Sequence, residues 1–273
     1  MEAQVTRPAL RYFGAKWRLA PWLLSHFPAH EVYVEPFGGG AGVLLRKLPS
    51  PIEIYNDLDG DVVNFFRVLR EQADTLIRAI DLTPWSREEF EISLQACDDP
   101  LERARRLYVR SWQGIGGKMF HRTGWRLDKN TRRGTPMVDD WSKLGYLWAV
   151  AERLKGIELE NDDAFKVIEK LDSPETLFYL DPPYLSSTRS ISWARCAYAH
   201  ELSDGDHQRL GELVRDLQGM VIISGYPSEL YEDMFGDWLK VTIETRHSFG
   251  GRAVESLWIS PNAQARGRQM RLM

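Results

Sequence analysis

The chain has 273 residues, of which 43% are hydrophobic, and it carries a formal net charge of −4. This length suits one large domain or a domain with a sizeable insertion, and no run of about 18 apolar residues offers a membrane span. The N-terminal residues lack the apolar core of a signal peptide, so we expect a cytoplasmic protein with no membrane partner. Cys97 and Cys196 stand alone, which argues against a disulfide or a thiolate metal site.

The first predicted elements lie between Val32 and Asp57. A short apolar run ends in an acid at Glu35, a glycine cluster and a helical stretch follow, and a second apolar run ends just before Asp57. This order predicts a strand, a glycine-rich turn, a helix and a second strand. Glycines let the backbone approach a ligand closely, and an acid about 20 residues further on can accept hydrogen bonds from ribose hydroxyls. The pattern favours an adenosine-type cofactor, with NAD among the candidates.

Residues 71–150 are rich in Arg, Trp and Gly, and their stretch 111–126 fits neither the helical nor the strand period, which predicts a loop-rich insertion outside the sheet. Within it, residues 101–135 hold ten basic and two acidic residues, a net charge of +8. Such a segment is a plausible footprint for the phosphates of a nucleic acid. For Arg103 to Arg110, a solvated helix face is the alternative.

Aromatic and basic side chains alternate in and after this segment. Indoles can stack on bases or pack in the core, and both readings are open for the tryptophans at positions Trp112, Trp125, Trp141 and Trp148. Arg122 and Arg126, which flank Gly124, are the candidates for contact with the nucleic-acid backbone.

The second half of the chain repeats the strand, helix and strand order. Thr176–Tyr184 predicts a strand, a helix follows around His207 to Leu217, and Met220–Tyr226 predicts another strand. Alternation of this kind is typical of a parallel α/β sheet with ligands at the carboxyl ends of its strands. Two β-rich runs flank Gly250-Gly251 near the end of the chain and predict an antiparallel hairpin.

The segment Asp181-Pro182-Pro183-Tyr184 carries the most specific chemistry. It ends a predicted strand, and the two prolines fix the backbone there. The exocyclic amine of adenine is a poor nucleophile because its lone pair is delocalised into the ring. The Asp181 carboxylate and the Pro182 carbonyl could both accept from that amine and free the lone pair, while Tyr184 offers a stacking face for a flipped base.

These motifs, in this order, resemble the D12-class, Dam-like DNA N6-adenine methyltransferases over nearly the whole chain. The resemblance implies S-adenosyl-L-methionine as the cofactor, double-stranded DNA as the partner, direct methyl transfer to N6, no metal and no assigned oligomeric state. It places the protein in a bacterial cytoplasm, or in that of the host if it is phage-encoded. It implies catalysis by Asp181, Pro182, Pro183 and Tyr184, and cofactor contacts from Tyr12, Lys16, Glu35, Phe37, Gly39, Asp57, Asp163 and Asp181.

Within that cofactor set, the resemblance assigns Tyr12 and Lys16 to the methionine part, Asp57 to the ribose and Asp163 to the adenine. One position departs from the family pattern, because Ala41 stands where the glycine loop usually has its last glycine.

The implied fold is α/β: a Rossmann-like methyltransferase sheet, mostly parallel with an antiparallel C-terminal hairpin, plus an inserted DNA-recognition subdomain. Residues 1–70 and 151–273 would form the catalytic domain and residues 71–150 the target-recognition insertion. The alternatives are a related amine methyltransferase acting on cytosine N4, RNA adenine or a protein amide, and a catalytically inactive DNA-binding relative. A metal site among His200, Glu201, Asp206 and His207 is disfavoured, because Ser203 or Asp204 fits the cap of a helix there.

Overall fold

The computed structural model describes residues 5–117, 119, 123–127, 137–189, 198–246 and 252–272. The chain divides into two compact units, each described here by itself. Unit 1 comprises Met1–Trp17, Gly39–Arg46 and Asp59–Ile157, and unit 2 comprises Arg18–Gly38, Lys47–Leu58 and Glu158–Met273. The functional division into a catalytic domain and a recognition insertion stays a prediction.

Unit 2 is built on a sheet. Over the described residues the sheet has seven strands in the order β3-β2-β1-β4-β5-β7-β6. The strands are β1 (Val32–Glu35), β2 (Ile52–Asn56), β3 (Glu158–Glu160), β4 (Thr176–Leu180), β5 (Met220–Gly225), β6 (Leu239–Arg246) and β7 (Arg252–Ile259). Strands β1 to β5 pair in parallel, and β7 runs antiparallel to both β5 and β6. The predicted Rossmann-like sheet with an antiparallel C-terminal hairpin is confirmed; the turn of the hairpin lies outside the described residues.

The order of the strands creates a crevice beside β1. Strand β1 pairs with β2 on one side and with β4 on the other, so the chain order reverses at this point. The loops that leave the carboxyl ends of β1 and β4 therefore diverge, which is where open α/β sheets bind ligands. Glu35 to Gly38 end β1 and lead out of it, and Asp181 follows β4, so these segments of unit 2 leave neighbouring strands at this switch point.

Strands β4 and β5 are buried along their whole length, because helices cover both faces of a parallel sheet. On one face of these strands, Phe178, Leu180, Val221 and Ile223 pack in one core with Phe165, Leu210 and Phe235. The helices of unit 2 are α1 (Ala20–Leu24), α8 (Ala164–Lys170), α9 (Asp204–Arg215), α10 (Glu229–Phe235) and α11 (Pro261–Leu272).

The connection between β1 and β2 differs from its prediction. Residues 36–51 form turns, and the helical stretch predicted there is absent from this fully described segment. Ala41 has a φ of 52°, a left-handed conformation that cannot belong to a right-handed helix. The apolar side chains of Val43, Leu44 and Leu45, which suggested a helix, are buried although the backbone there forms turns.

Unit 1 is helical where the sequence predicted loops. Its helices are α2 (Gly60–Glu71), α3 (Ala73–Asp81), α4 (Arg87–Ser93), α5 (Pro100–Gln113), α6 (Met137–Trp141) and α7 (Tyr146–Leu154). Helix α2 packs against α5 and α7. The loop-rich prediction is wrong for 73–113, because capping side chains, Ser86 for α4 and Asp99 for α5, start helices in a segment dense in charge. Among all the described residues, no helix is long and apolar enough to cross a membrane.

The arginines of α5 are engaged within unit 1. Asp61 accepts from Arg103 at 2.6 Å and from Arg110 at 3.1 Å, and Glu102 accepts from Arg105 and Arg106 at 2.7 Å each. The hydrogen bonds from Arg105 and Arg106 lower the pKa of Glu102 to about 2, against the effect of its burial.

These contacts correct the sequence interpretation of Arg103 to Arg110. A guanidinium that is neutralised by a carboxylate of its own unit contributes little to the attraction of a phosphate. Neither the nucleic-acid footprint nor a freely solvated face describes this part of the basic segment.

Asn56, the last residue of β2, joins three loops at the carboxyl edge of the sheet. Its side chain is fully buried, and its amide nitrogen donates to the Pro36 carbonyl at 2.9 Å and the Asp162 carbonyl at 3.0 Å. Its amide oxygen accepts from the Asp162 backbone N–H at 2.9 Å, and its backbone carbonyl accepts from Gly38 at 2.8 Å. The loops after β1, β2 and β3 are held in one arrangement by this one residue.

We expect Asn56→Ala to lower the free energy of unfolding by about 2–4 kcal/mol, because it leaves buried backbone groups without partners. Urea titration followed by circular dichroism measures this loss. Asn262→Ala is the matched control: Asn262 also donates to three carbonyls, at 3.1–3.3 Å, but it is exposed, so water replaces it at a cost below about 1 kcal/mol. Equal losses in the two variants would contradict the role given to Asn56.

Candidate active site

The segment that begins at Asp181 leaves the end of β4 beside the end of β5. Register pairs Leu180 with Ile223, which brings Asp181 next to Ser224 on the neighbouring strand. The Ser224 hydroxyl donates to Asp181 Oδ1 at 2.8 Å. Asp181 is half-buried and Pro182 is buried. The carboxylate therefore has a defined direction at the edge of the sheet.

Tyr184 is held from two sides. Its hydroxyl donates to Glu255 Oε1 on β7, and its ring lies edge-on to Tyr226 with centroids 4.7 Å apart. Burial, with the nearby charges of Asp181 and Glu255, raises the pKa of Tyr184 well above its ordinary value, so the phenol keeps its proton. Only 7% of Tyr184 is exposed in this structure. The predicted stacking of a base on this ring stays a prediction.

The acids and histidines after this segment have structural partners. Ser203 caps α9 in a capping box with Asp206, which confirms the predicted cap. His207 lies inside α9, fully buried, with Nδ1 3.1 Å from the Tyr231 hydroxyl, and burial lowers its pKa. Glu201 pairs with Arg189 at 2.7 Å. Among the described residues no group of three or more His, Cys, Asp or Glu side chains is arranged to hold a metal ion.

The glycine-rich loop starts in unit 2, where β1 ends. Glu35 is buried and its Oε1 accepts from the Tyr33 hydroxyl at 2.6 Å, while Phe37 packs its ring against the core. A Cβ at Gly38 would lie 2.9 Å from the Asn56 carbonyl and closer still to the Tyr55 ring. Glycine is required at this position because two loops come into contact there.

Asp57 and Asp163 follow β2 and β3, at the same carboxyl edge. The Asn161 side chain donates to the Asp57 carbonyl at 2.7 Å, which ties the two loops together. Asp163 is the N-cap of α8, and its Oδ1 accepts from the backbone of Phe165 at 2.9 Å and of Lys166 at 3.3 Å. One carboxylate oxygen of Asp163 is thus used by the helix, and its assignment to the cofactor's adenine stays a prediction.

The rest of the glycine loop lies in unit 1 with the N-terminal motif. Gly39 has a φ of 47°, and a Cβ there would lie 2.9 Å from the Tyr12 ring, so the ring covers the loop backbone. Lys16 is buried and its Nζ donates to the Gly14 carbonyl at 3.1 Å. Ala41 adopts the left-handed conformation that a glycine favours. The departure from the family pattern therefore carries backbone strain of about 1–2 kcal/mol.

Of the two arginines predicted to contact nucleic acid, Arg122 lies outside the described residues. Arg126 is half-buried in unit 1, and its guanidinium donates to the Trp112 carbonyl at 2.9 Å and lies 5.9 Å from the Trp85 ring. Its backbone is held as well, because its N–H donates to the Gln113 carbonyl at 2.8 Å. Contact of Arg126 with DNA stays a prediction.

The tryptophans divide between core and surface. Trp112 and Trp141 are 6% and 5% exposed, and their indole N–H groups donate to the carbonyls of Ala9 and Thr83. Trp125 is half-buried, and Trp148 is 45% exposed. Core packing therefore accounts for Trp112 and Trp141.

The structure brings the predicted residues together in two groups. In unit 2 the carboxyl edge of the sheet collects Glu35, Phe37, Asp57, Asp163 and the segment Asp181 to Tyr184. In unit 1, Tyr12 and Lys16 pack with Gly39 and its neighbours.

Three polar residues at this edge were missed by the sequence interpretation: Asn56, Ser224 and Glu255. Each is almost fully buried in or at the end of a strand. A polar residue that interrupts an otherwise apolar strand, as in Ile-Glu-Ile-Tyr-Asn and Met-Val-Ile-Ile-Ser-Gly, is the signal that could have found the first two.

Comparison with known proteins agrees with this arrangement. The family model described as D12 class N6 adenine-specific DNA methyltransferase matches residues 12–111. The Type II methyltransferase M1.LlaDCHI of Lactococcus lactis subsp. cremoris is 24% identical over 268 residues, 90% of each chain. The DNA adenine methylase of Serratia marcescens is 24% identical over 246 residues, 84% of this chain and 87% of the relative. The DNA N-6-adenine-methyltransferase of Escherichia phage P1 is 22% identical over 246 residues, 85% of this chain and 32% of the relative.

The family model covers the N-terminal motif and the glycine loop, and the relatives extend the likeness through the Asp181 segment to most of the chain. Together with the mostly parallel sheet and its antiparallel edge, these findings show that residues 12–111 match the D12 class of N6 adenine-specific DNA methyltransferases and that most of the chain is similar to DNA adenine methyltransferases.

Proposed function

We propose that this protein transfers the methyl group of S-adenosyl-L-methionine to N6 of an adenine flipped out of double-stranded DNA. The observation that carries the proposal is the Asp181 carboxylate, oriented by Ser224 at the switch point of the sheet and followed by two prolines. The similarity to this family indicates the type of reaction, and the geometry around Asp181 indicates where in the protein the reaction would occur.

The residues at the carboxyl edge fit the proposed cofactor. Gly38 leaves the backbone bare just after β1, and Asp57, which follows β2, can accept from ribose hydroxyls. Tyr12 and Lys16 would serve the methionine part and Asp163 the adenine. The bound cofactor would supply a methyl group on a sulfonium, a leaving group that needs no further activation.

The protein's contribution to the step is to position and activate the amine. Asp181 and the Pro182 carbonyl accept the two N6 hydrogens, which draws the nitrogen towards tetrahedral geometry and exposes its lone pair. The bound cofactor would supply the methyl group to the nitrogen, and Asp181 or water would take the surplus N6 proton once the amine carried that methyl group. Tyr184 and Tyr226, whose rings lie edge-on to one another just after β4 and β5, would contact the flipped base.

The test of the proposal is to express the protein in a host that lacks DNA methylation and to map modified bases by long-read sequencing. The expected result is N6-methyladenine in one sequence context. Methylation at cytosine N4 or methylation confined to RNA would overturn it. Unmodified DNA in cells that contain the folded protein would also overturn it.

Asp181→Ala should lower the single-turnover rate of DNA methylation by about 100-fold or more, because the amine loses an oriented acceptor in the transition state. The rate is measured with tritiated cofactor and a duplex of the mapped sequence. Asp233→Ala, which removes an exposed aspartate of α10 in the same unit, should keep the parental rate. A parental rate for Asp181→Ala would rule out the mechanism.

Asp57→Ala should weaken S-adenosyl-L-methionine binding by about 1–3 kcal/mol through the loss of charge-assisted hydrogen bonds. Isothermal titration calorimetry gives the Kd directly. The control is Glu169→Ala, which makes the same change of charge at an exposed position of α8. If both variants bind with the parental Kd, the ribose assignment is wrong.

Arg126→Ala should weaken DNA binding and reduce the slope of log K against log salt by about 1, as expected for one lost phosphate contact. Fluorescence anisotropy over a salt series measures the slope. Arg103→Ala is the matched control, because that arginine belongs to the same basic segment but is paired with Asp61. An unchanged slope for Arg126→Ala would assign this arginine to packing alone.

A further inference from the structure

Two buried hydroxyl groups, those of Tyr179 and Ser224, form a hydrogen-bonded chain that ends on the half-buried Asp181. The Tyr179 hydroxyl lies 3.1 Å from Ser224 Oγ, and Ser224 Oγ lies 2.8 Å from Asp181 Oδ1. Ser224 is fully buried and Tyr179 is 2% exposed. They lie on β5 and β4, the two strands whose carboxyl ends frame this part of the site.

The direction of these hydrogen bonds follows from the groups involved. A carboxylate only accepts, so the single Ser224 proton points to Asp181, and a lone pair of Ser224 is left to accept from Tyr179. Burial, followed by the charge of Asp181, raises the pKa of Tyr179 well above its ordinary value, so that phenol keeps the proton it donates. The Leu180 carbonyl is a more distant acceptor for Ser224, at 3.3 Å.

We propose that Ser224, supported by Tyr179, is a positioning residue that fixes the side-chain torsion of Asp181. The hydrogen bond from Ser224 to Asp181 Oδ1 sets the plane of the carboxylate. That plane sets the direction from which Asp181 Oδ2 would approach the N6 amine of the adenine. This inference rests on the proposed function, because it assigns to Ser224 an effect on a step that Asp181 performs.

The expected size of the effect follows from the sensitivity of such steps to geometry. A displacement of about 1 Å in a reacting group can cost about 100-fold in rate. Ser224→Ala leaves Asp181 in place but frees its torsion, so we expect the single-turnover rate to fall by about 10- to 100-fold. The KM for DNA should stay within about twofold, because an interaction that acts only in the transition state changes kcat alone.

A control for the loss of a buried hydroxyl is available on the neighbouring strand. Ser256 lies on β7, opposite Gly225, and is as completely buried as Ser224. Its hydroxyl has no hydrogen-bond partner among the described residues. Ser256→Ala should therefore keep the parental rate, and thermal unfolding of both alanine variants checks that each is folded.

Two further variants make the test specific. Ser224→Thr keeps the hydroxyl and should restore at least part of the rate, and Tyr179→Phe removes only the donor to Ser224 and should give a smaller loss than Ser224→Ala. In an Asp181→Ala background, measured with enzyme in excess, adding Ser224→Ala should cause little further loss, because Ser224 then has no carboxylate to orient and residues that act through one another are non-additive.

The inference is overturned if folded Ser224→Ala keeps the parental rate, if Ser256→Ala loses as much, or if Ser224→Ala costs the same factor in the Asp181→Ala background. Each of these results leaves the proposed function standing as long as Asp181→Ala is inactive. Full activity of Asp181→Ala would instead refute the proposed mechanism itself, so the two failures are distinguishable.

Discussion

The buried amide of Asn56 is the contact on which the candidate site depends most. Parallel strands end at one edge of a sheet, but the loops that leave them are free to take many paths. By bonding to Pro36 and Asp162, and by accepting from Gly38 through its own carbonyl, Asn56 restricts three of these loops at once. The positions of Phe37, Asp57 and Asp163 are consequences of that restriction, since each follows directly from one of the bonded segments.

The carboxylates of this protein have two kinds of hydrogen-bond donor, hydroxyl groups and guanidinium groups. At the carboxyl edge, a hydroxyl donates to each of three carboxylates, in the pairs Tyr33–Glu35, Ser224–Asp181 and Tyr184–Glu255. A hydroxyl orients a carboxylate without neutralising its charge, which suits a site that must accept hydrogens from an amine. In unit 1 the acids around α5 are paired with arginines instead, and those pairs stabilise the packing of helices.

The basic segment shows how charge counted along a chain differs from charge available to a partner. Its net charge is +8, yet four of its arginines are paired with acids of unit 1. Arg106 pairs with Glu102 of the same helix, whereas the other three pair with acids that lie near them only after folding. Two of those acids, Asp61 and Glu89, belong to other helices. The arginine that carries the DNA-contact proposal, Arg126, sits beyond α5 on a backbone held by Gln113 and Trp85.

The sequence by itself determined the resemblance to the family and the parallel sheet with its antiparallel hairpin, and it predicts the chemistry of Asp181 to Tyr184, because each depends on local patterns: strand length, glycine and proline positions, and motif order. Only the tertiary structure decided that residues 36–51 form turns, that 73–113 is helical, and which buried groups orient the acids. Those outcomes depend on contacts between residues far apart in the chain. Ser224 reaches Asp181 across 43 positions, and Asn56 reaches Asp162 across 106, separations over which a local pattern carries no information.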